Sequence, residues 1–439
     1  MTNLPFGFGT GDGEPPKDPQ EFAAQMGGFF GELQKLLSWT GGPVNWDLAK
    51  QLAVQTLGDS TAIVSPADRA ATADALRLAD LWLDDVTDLP SGVKTTESWT
   101  RREWLDKTIP VWTQLCEPVA ARVVSAMSAA IPAEQLQALG AGNPLAGIMN
   151  QVSGLMFGAQ VGQGLGGLAQ EVVSATDIGI PLGPTGLAAL LPENVAAFSD
   201  GLARPADEVR LYLALREAAH QRLFSHVPWL RQRLLDTVEA YSRGISLDMS
   251  AIESAMSGVD PMNPESVQEA LSGGLFAPQQ TPEQQAALRR LETLLALVEG
   301  WVDAVVAAAA GDRMPGAEAL REASRRRRAT GGPAEQTFAT LVGLELRPRR
   351  LREAAALWWS VTEKRGVSGR DEIWAHPDLL PSAEDLDDPL GYGEKVGQFD
   401  APDDLSELDV DEPSPTDRPS PTNERGPTDE RGPADDEAS

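Results

Sequence analysis

Leu211-Tyr-Leu-Ala-Leu-Arg-Glu-Ala-Ala-His-Gln-Arg-Leu-Phe224 is the stretch on which the reading of this chain turns. At 100° per residue, Leu213, Glu217, His220 and Phe224 fall within about 60° of one another, with Arg216 at the margin of the same arc. The spacing is that of an amphipathic helix, yet its apolar stripe carries three ionisable groups. A second stretch, Leu294-Leu-Ala-Leu-Val-Glu-Gly-Trp-Val-Asp-Ala-Val-Val306, repeats the pattern, with Leu295, Glu299, Val302 and Val306 on one face. A buried carboxylate needs a metal, a cation or hydrogen bonds. If the two helices face each other, Glu217, His220 and Glu299 converge. Spacing alone leaves two partners open: a metal, or a cation such as Arg216 with His220 hydrogen-bonded and silent.

Outward from these two stretches the helical period continues. Apolar residues recur at three- and four-residue intervals through Phe22–Leu37, Trp46–Leu57, Ala67–Leu83, Trp99–Ala130, Val209–Gly244, Pro282–Ala310 and Arg349–Arg365. Helix punctuation agrees. Thr281-Pro-Glu-Gln284 combines a capping-box spacing with Pro at the first helical position, and Gly244 and Gly366 stand where C-terminal glycines belong. Alternating strand patterns are scarce, so the expected fold is mainly α-helical. Residues 1–19, rich in Gly, Pro and charge, read as a flexible N-terminal segment, 20–380 as the helical body, and 381–439 as a disordered acidic tail. A loop-rich stretch over 257–280 interrupts the body, with a short helix expected at Pro264–Ala270.

Composition narrows the function classes. The chain holds 36 Lys and Arg against 65 Asp and Glu, a net charge of −29. The segment 381–439 contributes −15 of this, which leaves −14 for the first 380 residues. A body of that sign is a poor match to phosphate backbones, and the run Arg325-Arg-Arg-Arg328 lacks interleaved aromatics, so no nucleic-acid partner is expected. That run reads instead as a solvated helical face or a dock for the acidic tail. The single cysteine, Cys116, reads as a packed thiol in a reducing compartment, and the N-terminus has no apolar secretory core, so a cytoplasmic location is expected.

No stretch reads as a membrane span. The longest uncharged one, 135–170, is broken by Asn, Gln and Pro. Within it Gly154, Gly158, Gly162 and Gly166 form one ridge, the mark of two closely packed helices. The overlapping Gly162-Gln-Gly-Leu-Gly-Gly167 follows no strand and makes a weak phosphate loop. Trp358-Trp359 reads first as core and second as an interface anchor.

The run Arg216-Glu-Ala-Ala-His220-Gln-Arg-Leu-Phe224-Ser-His-Val-Pro228-Trp-Leu-Arg231 resembles the zincin-like metallopeptidase family of actinobacteria. One branch of that family, associated with deazaflavin-coenzyme biosynthesis, carries a full HExxH followed by Phe and then Pro-Trp-Leu-Arg. Its later helix reads Glu-Gly-His where this chain has Glu299-Gly-Trp301. The resemblance extends from the Gly-rich opening through Asp371-Glu-Ile-Trp-Ala-His-Pro377. It implies a zincin-like helical body and a zinc (Zn²⁺) peptidase site acting on a peptide or protein. His220 would then be a metal ligand, Glu217 the general base that takes a proton from metal-bound water, and Glu299 a carboxylate ligand.

The chain departs from that pattern at the first ligand, which is Arg216, a permanently charged side chain that cannot ligate zinc. Two arrangements are open, beside a different ion or small ligand in the same place. His226 could complete the site if Pro228 ends the helix and lets its imidazole swing back. Alternatively Arg216 replaces the metal, bridging Glu217 and Glu299, and the protein is a non-catalytic scaffold or partner-binding protein. His376, before Pro377, is expected to be a loop residue.

Overall fold

The computed structural model describes residues 41–58, 63–129, 144–244, 281–329 and 350–396. The expected helices over Phe22–Leu37 and Pro264–Ala270, the segment 1–19 and the tail beyond 396 lie outside the described residues. The described residues all belong to one unit, Met1–Gly397.

Among the described residues eleven α-helices carry the fold, in the order α1 (Trp46–Leu57), α2 (Pro66–Leu83), α3 (Arg101–Ala129), α4 (Pro144–Ala169), α5 (Pro192–Ser199), α6 (Ala206–His226), α7 (Pro228–Arg243), α8 (Pro282–Ala310), α9 (Ala317–Ala329), α10 (Leu351–Asp371) and α11 (Pro389–Val396). Their ends follow local chemistry. Asn45 caps α1, Ser65 caps α2 with Pro66 in the first turn, and Thr281 and Gln284 form a full capping box at α8. The expected run 209–244 is two helices, because Pro228 cannot supply an N–H and holds Val227 at φ −110°, ψ 83° between them. Gly366 sits at φ 73°, ψ −177°, a positive-φ geometry that glycine alone adopts readily, and breaks α10 internally.

The helix α8 is the axis of the body. It packs against α6, α7, α9, α10 and α2, and its apolar residues are buried on nearly every side, among them Leu291, Leu295, Val298, Trp301, Val302 and Val306. Its length and composition would suit a membrane span, but it is a core helix whose most apolar window is 78% buried within the protein. The glycine ridge does what close helix packing requires. A Cβ at Gly158 would lie 2.6 Å from the Asn45 carbonyl oxygen and one at Gly162 2.5 Å from that of Ala49, so α4 can approach α1 only without side chains there. The weak phosphate-loop match, Gly162–Gly167, thus lies inside helix α4.

Two short strands, β1 (Thr95–Ser98) and β2 (Leu187–Leu190), pair in parallel with Thr95 opposite Leu187 and Ser98 opposite Leu190. All four residues of β2 are buried. Strand β2 packs on α6, which holds the candidate site against it.

The body also runs past the expected boundary at Leu380. Leu386 is fully buried, Arg350 donates to the Ala383 carbonyl at 2.7 Å and pairs with Asp387 at 2.6 Å, and α11 packs on α10. Residues 381–396 therefore belong to the helical body, not to the tail. Their acidic residues had masked a single apolar anchor. Trp358 is buried and donates to the Leu297 carbonyl at 2.9 Å, whereas Trp359 is exposed.

Candidate functional site

Helices α6 and α8 meet as the apolar stripes require, and Arg216, His220 and Glu299 come together. Glu299 is 1% exposed, and both its oxygens are occupied. Arg216 Nη2 donates to Oε2 at 2.6 Å, while His220 Nε2 lies 3.0 Å and Arg328 Nη1 2.7 Å from Oε1. Burial alone would raise the Glu299 carboxyl, but Arg328, His220 and Arg216 hold it well below the usual carboxylate range. Burial likewise opposes the charge on Arg216, and Glu299, Tyr212 and Asp303 outweigh it, raising that guanidinium further.

The imidazole of His220 is fixed at both nitrogens. Nδ1 donates to the Arg216 carbonyl at 2.9 Å, one helical turn back, and the ring stacks on Phe224. The ring is thus held between the Arg216 carbonyl and the Glu299 carboxylate, with an oxygen facing each nitrogen.

Glu217, the expected general base, faces elsewhere. Its Oε2 accepts from the Thr176 backbone N–H at 3.0 Å and the Thr176 hydroxyl at 2.5 Å, and Oε1 accepts from Gln221 at 3.0 Å and Ala189 N–H at 3.4 Å. One residue along a helix is a 100° turn, so Arg216 and Glu217 cannot both point at Glu299. Nor does Arg216 bridge the two glutamates as expected. Glu217 instead pins the loop before β2, and that loop passes over Glu299. Gly179, at φ 78°, lies so close that a Cβ there would be 2.7 Å from Glu299 Oε1.

His226 does not complete the site. It is exposed at the end of α6, with Nε2 3.3 Å from the Ser91 carbonyl oxygen. Helix α6 continues to His226 itself, so the ring projects to the side opposite His220. Trp301 also turns away, donating to Asp371 at 2.9 Å beneath Arg370. His376 is an exposed loop residue whose Nδ1 accepts from Asp378 N–H at 3.3 Å. Cys116 is buried and its thiol is pushed up to about 12 by burial and by Glu117, an unreactive packed sulfur.

The arginine run proves to be part of the site, which corrects its reading as a solvated face. Arg321, Arg325 and Arg328 recur on one face of α9 and meet an acidic row on α8. Asp303, 2% exposed, accepts from Arg321 Nη2 and Arg325 Nη2, each at 2.6 Å, and Arg328 reaches Glu299 one turn back. Arg327 pairs at 3.0 Å with Asp177 on the loop, and Arg328 also donates to the Asp177 carbonyl. Burial would raise the Asp177 carboxyl, but Arg327 and Arg328 hold it low. Only Arg326 of the run faces outward, beside Glu322 at 3.7 Å.

A family model described as zincin-like metallopeptidase matches residues 44–392. The chain belongs to the zincin-like metallopeptidase family. A crystal structure of "a putative hydrolase with a novel fold" from Chloroflexus aurantiacus shares the fold, with a TM-score of 0.55 and 23% identity over 81% of this chain and 99% of that one. Among curated proteins none matches.

Family membership implies zinc, and the donor set can be tested against that metal. Zinc takes three or four N, S or O donors with free lone pairs. Between α6 and α8 the candidates are His220 Nε2, which faces a carboxylate, and Glu299, which is bound by two guanidinium groups. Among the described residues no group of three or more His, Cys, Asp or Glu side chains is arranged to hold a metal ion. The residues present do not fit zinc.

Proposed function

We propose that this chain is a metal-free member of its family, a scaffold that binds a peptide or protein partner and does not hydrolyse it. One observation carries the reading: Arg216 and Arg328 occupy the two oxygens of Glu299, with His220 on the same carboxylate. Two fixed positive charges stand where a divalent cation would have to sit, and neither can be removed by deprotonation near neutral pH. Glu217, the residue a peptidase mechanism needs as base, is consumed by four hydrogen bonds that hold the loop and β2.

Zinc content tests this. Elemental analysis of the purified full chain and of His220→Ala and Glu299→Ala should give substoichiometric zinc, unchanged by either substitution. Stoichiometric zinc in the wild type, lost in both variants, would overturn the proposal and restore the peptidase reading.

A further inference from the structure

The helix α9 differs from its neighbours in how it is held. Among its described side chains only Leu320 and Ala323 are buried apolar groups, whereas α8 beneath it is apolar over most of its length. What fastens α9 is charge. Arg321 and Arg325 bind Asp303, Arg327 binds Asp177, and Arg328 binds Glu299. These arginines keep 15–30% of their side chains exposed, while Asp303 and Glu299 are each 1% exposed. On release the guanidinium groups and their carboxylates regain hydration together and at little apolar cost, which offsets part of the lost pairing. Elements with few buried apolar contacts open first.

We infer that α9 is a charge-latched cover over the Glu299–His220 site, lifting as a unit while α6 and α8 stay folded. When it lifts, Arg328 leaves Glu299, and Arg327 and Arg328 release Asp177, so the loop that lies over Glu299 is freed along with it and Glu299 and His220, still joined to Arg216, become reachable from solvent. The inference concerns access to the site and holds whether or not the site ever takes a metal. Asp303 is the latch to cut, because it receives two arginines of α9 and is bonded to neither His220 nor Glu299.

The three histidines provide the readout. Diethyl pyrocarbonate acylates accessible imidazoles, and His226 and His376 are exposed while His220 is 1% exposed. In the full-length wild type, labelling resolved by mass spectrometry should mark His226 and His376 and largely spare His220. In Asp303→Asn, labelling of His220 should rise about tenfold, and hydrogen exchange over 317–329 should accelerate to match, with exchange over 282–310 unchanged. Arg325→Gln, which cuts the same latch from the α9 side, should act in the same direction and serves if Asp303→Asn does not fold. Two results would overturn the inference: His220 remaining unlabelled in a folded variant, or exchange over 317–329 rising only together with that of α8.

Discussion

Replacing Glu299 by glutamine keeps its shape and removes its charge. In the wild type the carboxylate receives Arg216 at 2.6 Å, Arg328 at 2.7 Å and His220 at 3.0 Å at a site 1% exposed. Glutamine offers one acceptor oxygen and turns an NH₂ toward a donor, leaving two guanidinium groups without a counter-charge. Breaking a buried ion pair from one side costs about 3–5 kcal/mol. Arg328, 15% exposed, can recover some hydration, which places Glu299→Gln near the lower end, about 3 kcal/mol. The loss should depend on pH in a defined direction. Because the folded-state value of Glu299 is lowered, its contribution is complete above the unfolded value of about 4.3 and is lost as pH falls below it. The stability gap between wild type and variant should therefore be flat from pH 7 to about pH 5, then shrink by about 1.4 kcal/mol per pH unit below about 4.3. Urea unfolding followed by tryptophan fluorescence at a series of pH values measures the gap. A gap under about 1 kcal/mol at neutral pH, or one that does not narrow in acid, would refute the claim that Glu299 is the charged centre of this core.

Two further substitutions test other parts of the account. Gly162→Val should destabilise the protein by about 1–3 kcal/mol in thermal melts, because the new Cβ meets the Ala49 carbonyl oxygen and Leu52 Cβ, neither of which can rotate away. Glu217→Ala should cost about 3 kcal/mol in urea unfolding by stranding the Thr176 N–H, its hydroxyl and the Gln221 amide, and zinc content should not change. A Glu217→Ala protein of wild-type stability would remove its structural role.

Most of the helical body was legible because its signals are local. Asn45 and the Thr281–Gln284 box mark helix starts within a few residues, and the observed bounds Trp46–Leu57 and Pro282–Ala310 match the periodicity. Strand β2 was not legible, since Leu187-Ala-Ala-Leu190 is buried on both faces and shows no alternation. At the site, Glu299 and His220 stood out because a polar residue on an apolar stripe is conspicuous. Asp177 was hidden in an irregular loop whose position depends on Glu217 holding Thr176. The four arginines read as a solvated run because the carboxylate partners of Arg325, Arg327 and Arg328 stand on other elements, α8 and the loop before β2. A signal was present: Arg321, Arg325 and Arg328 share a face, and Glu299 and Asp303 offer a matching row one turn apart on α8.

The orientation of His220 links the family resemblance to the changed chemistry. In a metal-binding helix a ligand histidine is steadied by giving its other ring N–H to a carbonyl or carboxylate, which aims the free nitrogen at the metal. His220 retains that arrangement, with Nδ1 donating to the carbonyl one turn back and Nε2 aimed at the space between α6 and α8. The first half needs only helix geometry, because residue 216 offers the same carbonyl whatever side chain it carries. The second half depends on what stands opposite, and here it is a carboxylate already committed to Arg216 and Arg328. A histidine-to-arginine difference at position 216 therefore leaves the backbone and the imidazole in place while exchanging a lone pair for a fixed positive charge. Glu299 needs a cation in either case, and a guanidinium satisfies it without any ion from solution. The charge of Glu299 is thus met from within the protein, by Arg216 on α6 and Arg328 on α9.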